Sequence, residues 1–173
     1  MYRLVAALVA ACAMFAACGD DNNTTSPSGQ PAVFSAQLRP ANEVPAIANA
    51  EASGMGAVQV QFDVTRDSGG AISAATATFY FQLSGFPSGT TTVAAHIHPG
   101  PTGVNGPVLV NTGLTVASAL TLTDGSADTT VRGISVPPAV AESIISNPGA
   151  FYFNVHSPLN SGGFARGQLE RVQ

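Results

Sequence analysis

From Val33 onward the chain repeats with a period of two. Phe34, Ala36 and Leu38 alternate with Ser35, Gln37 and Arg39, and Val58, Val60, Phe62 and Val64 alternate with Gln59, Gln61 and Asp63. Ala75, Ala77, Phe79, Phe81 and Leu83 then alternate with Thr76, Thr78, Tyr80 and Gln82. Successive side chains of a strand point to opposite faces, so this pattern describes strands with one buried side. Turn formers at Thr65–Gly70 and Gly85–Gly89 separate the runs. Further strands are expected near 92–98, 106–111, 116–123, 129–134, 150–156 and 164–171. The expected fold class is therefore all-β, an antiparallel β-sandwich or Greek-key barrel. One segment departs from the alternation. Pro137-Pro138 opens a stretch in which Val140 and Ile144 are spaced i, i+4, and Asn147-Pro148-Gly149 ends it, which predicts one short helix near 137–146.

The first residues read as an address. Met1-Tyr2-Arg3 precedes an apolar run from Leu4 to Ala17, too short to span a bilayer but suited to a signal peptide. Phe15-Ala16-Ala17-Cys18 resembles a bacterial lipobox, so residues 1–17 are expected to be a lipoprotein signal peptide and Cys18 the lipidated residue. Residues 18–31 are polar and rich in turn formers, a flexible tether, and 32–173 form the domain. The expected location is the bacterial cell envelope, lipid-anchored on an extracytoplasmic side, with the membrane as a partner through the N-terminal lipid. The two cysteines, Cys12 and Cys18, both lie in this address, leaving no disulfide for the domain. Charge is sparse, at 9% of residues, and all six basic residues are arginines spread along the chain. They form no stripe able to neutralise phosphates, which excludes a nucleic-acid binder.

Three histidines carry most of the chemical interest. In Val93–His98 a strand would send Val93, Ala95 and Ile97 to the core and His96 and His98 to the other side, about 6.5–7 Å apart. In Phe151–His156 the same alternation sets Tyr152, Asn154 and His156 opposite Phe151, Phe153 and Val155. If the two strands are neighbours, His96, His98 and His156 converge, and three neutral imidazoles suffice for zinc or copper. The same spacing also suits solvated histidines, or a His98 that braces the Pro99-Gly100-Pro101 turn. Geometry separates the readings: ligands near 2.0–2.1 Å from one ion require imidazoles within about 4–5 Å of each other. Catalysis has thin support. There is no Gly-x-Ser-x-Gly elbow, no thiol in the domain and no carboxylate pair set out as an acid–base dyad, so no catalytic residue is assigned. Arg166, with Gln168 and Glu170, is expected on the outer face of the last strand, paired with an acid such as Glu43. Gly103-Val104-Asn105-Gly106 reads as a turn into the next strand, with no helix behind it to hold a phosphate.

Several ordered motifs resemble one family. Phe34-Ser35-Ala36-Gln37-Leu38 with Asn42-Glu43-Val44-Pro45 resembles the opening of a CHRD domain, the module named after chordin. Ala94–His98 followed by Gly103–Val108 resembles its central histidine motif. Phe153-Asn154-Val155-His156-Ser157 and Arg166-Gly167-Gln168-Leu169 resemble its closing motifs. Pro99 and Phe164 stand where the family usually has a glycine and an acidic residue. The resemblance spans about Val33 to Val172 and implies a β-sandwich-like module of extracellular or envelope proteins without an assigned reaction. The expected function is a non-enzymatic binding module for a protein or glycan partner. The alternative is a copper- or zinc-binding protein using the three histidines, with Glu43, Asn154 and Arg166 in structural or ligand-anchoring roles.

Overall fold

A computed structural model describes residues 30–172. The expected signal peptide, the expected lipidation site Cys18 and nearly all of the expected tether lie outside the described residues. The domain that follows contains eleven strands: β1 Ala32–Leu38, β2 Met55–Arg66, β3 Ile72–Ser84, β4 Thr90–Thr92, β5 Ala94–Pro99, β6 Val110–Asn111, β7 Leu120–Leu122, β8 Ala127–Ser135, β9 Phe151–His156, β10 Ala165–Gln168 and β11 Glu170–Arg171. One helix, α1 Pro138–Ser146, stands before β9, as the proline-led segment predicted. The strands make three antiparallel sheets, ordered β11-β1-β2-β3-β8, β10-β9-β5-β6 and β4-β7. The two larger sheets are open and face each other across a core, which is the sandwich of the two expected architectures.

The core is built from the alternating positions. Phe34 and Leu38 of β1, Val58, Val60 and Phe62 of β2, and Ala77, Phe79, Phe81 and Leu83 of β3 are all buried. They meet Ala95 and Ile97 of β5, Phe153 and Val155 of β9, and Phe164. Phe153 is the hinge of this contact, its ring centroid 5.9 Å from Phe79 and 5.6 Å from Phe81. Aromatic pairs at such separations add about 0.5–1.5 kcal/mol each beyond the area they bury. Helix α1 packs against β3 and buries Ala141 and Ile144.

The sequence reading and the structure differ at two places that matter for the site. The strand expected at 164–171 is two strands, not one. β10 pairs with β9 in one sheet, Leu169 is buried at the crossing, and β11 pairs with β1 in the other. Arg166 is consequently not on an outer, solvated face beside Glu170; it is 2% exposed, whereas Glu170 is exposed. The second difference concerns β9, which is buried along its whole length. Its polar side is covered because the segments after β5 and after β9 fold back over it. Gly100 N–H donates to Ala150 O, Gly106 N–H to the Tyr152 hydroxyl, and Gln168 Nε2 to the carbonyls of Gly100 and Gly149. A third layer of loop thus closes over the outer face of the four-stranded sheet and makes it an interior.

Candidate metal centre

Register assembles the site. β5 and β9 are adjacent and antiparallel, with His96 opposite Asn154, His98 opposite Tyr152 and Ala94 opposite His156. β10 continues the rows on the other side of β9, with Arg166 opposite Asn154 and Gln168 opposite Tyr152. Residues directly opposite in antiparallel strands share a face. Arg166, Asn154 and His96 therefore form one cross-strand row, and Gln168, Tyr152 and His98 the next. The core requires Ile97, Phe153 and Val155 to face inward, so the polar partners have to gather on the covered side.

The three histidines converge. One potential ligand atom from each of His96, His98 and His156 lies within 4.8 Å of the other two. His96 Nδ1–H donates to His156 Nε2 at 3.0 Å, because the proton of the His156 ring is on Nδ1, and an ion bound here would displace the His96 proton. Two nitrogens held tetrahedrally by one ion at 2.0–2.1 Å would be about 3.3 Å apart, so that pair already has the spacing of co-ligands. The widest pair of the three must draw in from at most 4.8 Å for all three to share one ion. Two of the rings are oriented from behind. His98 Nδ1 donates to Gly106 O at 3.0 Å, and His156 Nδ1 donates to Ser161 O at 2.9 Å. Carbonyl acceptors fix the Nδ1–H tautomer and turn each Nε2 lone pair inward, the arrangement that positions histidine ligands in metal sites. His98 and His156 are buried, while His96 is half-buried and gives the cluster its access to solvent.

Burial also sets the charge. Desolvation pulls the His96 pKa from 6.5 down to about 4, with the neighbouring His156 and His98 adding to the effect. Desolvation lowers His98 and His156 as well, against the carbonyl bonds from Gly106 and Ser161 that favour their charged forms. At neutral pH all three rings are therefore uncharged, the state in which imidazole binds a metal.

The surrounding groups are unusual for a buried layer. His98 stacks on Tyr152 with centroids 4.9 Å apart and planes 5° apart, and the Arg166 guanidinium lies 3.5 Å over the other part of that stack, on the Tyr152 ring. Arg166 donates Nη1 to Asn105 Oδ1 and Nη2 to Val104 O, each at 3.0 Å. The expected ion pair with Glu43 is not formed: among the described residues the one salt bridge is Arg66–Glu142. Arg166 acts on Glu43 only at longer range, because the Gly103–Gly106 turn captures the guanidinium first. Glu43 is itself buried, and desolvation raises its pKa from 4.5 to about 7, against the attraction of Arg166 and a bond from Asn154. Among the described residues four buried side-chain atoms lack a hydrogen-bond partner: Glu43 Oε1, His98 Nε2, Asn154 Oδ1 and Thr92 Oγ1. Three of those four belong to this one cluster.

Alternation brought His96, His98, His156 and Asn154 to light, and Tyr152 shared their face and could have been included on that signal. Gly106 and Ser161 were not legible, since both act through backbone carbonyls that any residue supplies. Glu51 was also missed. Its buried carboxylate accepts from Ser157 Oγ at 2.7 Å and from Asn160 Nδ2, pinning the loop that carries the Ser161 carbonyl. Its importance depends on a contact 106 residues away in the chain.

The CHRD domain family's profile matches residues 34–169. No curated protein and no solved structure matches the chain. The matched segment runs from the first core phenylalanine of β1 to the leucine at the sheet crossing, and takes in all three histidines, Glu43, Asn154 and Arg166. The chain belongs to the CHRD domain family.

Proposed function

We propose that this CHRD domain is a non-enzymatic binding module whose ligand is a copper or zinc ion held by His96, His98 and His156. The observation that carries the reading is the buried Nε2 of His98, unpaired and turned inward by its Nδ1 bond to Gly106, beside two further imidazoles. An isolated buried acceptor costs about 1–3 kcal/mol, and a bound cation removes that cost. The donor set is imidazole, which suits zinc(II) and copper(II), with copper(II) bound more tightly at a given site. Lipidation at Cys18 would hold the module at the extracytoplasmic side of a bacterial membrane, where it meets ions from outside the cytoplasm.

Titration of copper(II) or zinc(II) into the purified protein tests this directly. One ion per chain is expected, and a His96→Ala/His98→Ala/His156→Ala variant of unchanged circular dichroism should bind none. Equal uptake by both proteins, or by neither, overturns the reading and returns attention to protein or glycan ligands.

A further inference from the structure

We propose that Asn154 supplies a fourth, oxygen donor to the ion, making the centre three imidazole nitrogens and one amide oxygen. The inference rests on the three-histidine reading and adds a ligand to it. Asn154 is central to the cluster: it lies opposite His96 across the β5–β9 ladder, two residues from His156 on one face of β9, and against His98. Its side chain is 2% exposed, and its Oδ1 has no hydrogen-bond partner.

The orientation of the amide follows from what surrounds it. Nδ2 faces the carbonyl of Gly162, and the bond to Glu43 is one that favours the charged carboxylate, so the amide is its donor. A Cβ placed on Gly163 would sit 2.5 Å from Asn154 Nδ2 and 2.6 Å from Glu43 Oε1, which puts the NH2 end and the carboxyl group against the same turn. Turning the amide over would lose the Nδ2 contact with the Gly162 carbonyl and set Oδ1 against that carbonyl, an acceptor in every protonation state, and is disfavoured. Oδ1 is thereby directed to the histidine side, where it meets His98 Nε2. That nitrogen is an acceptor too, because its ring proton is on Nδ1 and given to Gly106. Two buried acceptors that face each other without a proton between them repel, and a cation placed between them satisfies both. A neutral amide oxygen leaves the charge of the ion uncompensated and adds a hard donor, which favours divalent ions over copper(I).

The test compares the wild-type chain with Asn154→Leu, close in shape but without the donor, and Asn154→Asp, which keeps an oxygen there. Zinc(II) affinity is read by competition with a chelator, and the donor set by the visible d–d spectrum after loading with cobalt(II). The Leu variant should lose at least roughly tenfold in affinity and shift the cobalt bands, while the Asp variant should bind at least as tightly as the wild type. Wild-type affinity and an unshifted spectrum in the Leu variant would overturn the fourth donor alone. Equal loss in both variants would also overturn it, by showing a packing role. A wild-type chain that takes up neither zinc nor cobalt overturns the three-histidine reading and this inference with it.

Discussion

At the scale of the residue, Glu43 shows how burial opposes solvation. Its carboxyl titrates near 7 in the folded chain against 4.5 when exposed, so between those values the native state holds a proton that the unfolded state has released. Stability linked to this group is therefore full below about 4.5 and lost as pH rises through 7. Above that, the native protein keeps a buried carboxylate at a cost on the order of 3 kcal/mol. Glu43→Gln removes the charge while keeping the shape. Urea unfolding should find the variant more stable than the wild type at about pH 8, with the difference vanishing at about pH 4. A difference of equal size at both pH values would show that Glu43 acts by shape and not by ionisation. The identity of this residue was readable from the family motif, but its neutral state was not. That state follows from the covering loop, which removes water from a side chain the alternation pattern leaves unplaced.

At the scale of the element, strands place the imidazoles and loops orient them. β5 and β9 set the three imidazoles on one side, whereas the segment from Pro99 to Pro107 supplies the carbonyl that fixes His98. Gly106 is where that segment comes closest to its own strand: a Cβ there would lie 1.7 Å from Pro99 O. Gly106→Ala must push the loop away, costing about 1–3 kcal/mol as overpacking does and releasing His98 from its acceptor. Denaturation and zinc titration should show both losses together, while Gly149→Ala, with open space around its Cβ, should show neither. Retention of full zinc affinity by Gly106→Ala would show that the carbonyl is dispensable. The sandwich itself has a comparable test in Phe153, which touches both Phe79 and Phe81. Phe153→Ala should cost about 3–5 kcal/mol in denaturant unfolding, because the cavity opens where the two sheets meet. A loss below about 1 kcal/mol would mean the sheets close over it. Alternation located β1, β2 and β3 most clearly, since each of these buries one face against the core. It read 164–171 as a single strand because a crossing between sheets at Leu169 keeps the same period on both sides.

At the scale of the whole molecule, the described residues of this charge-poor chain form a sandwich with a polar interior on its outer side. If Cys18 carries the lipid, Cys18→Ala should move the protein from the membrane fraction to the soluble fraction of its cell while leaving ion binding by the purified domain unchanged. A variant that stays with the membrane would exclude the lipid as the anchor. The sequence by itself determined the all-β class, the apolar faces, the single helix and the side of each strand on which the histidines stand, because the period of two ties identity to face residue by residue. Only the tertiary structure decided that β9 lies beside β5, that loops seal the outer face, that Gly106 and Ser161 turn the imidazoles inward, and that Arg166 bonds to a turn and not to Glu43. Those outcomes depend on backbone carbonyls and on contacts between distant segments, which carry no local pattern, and on the exclusion of water that appears only when all the layers have closed.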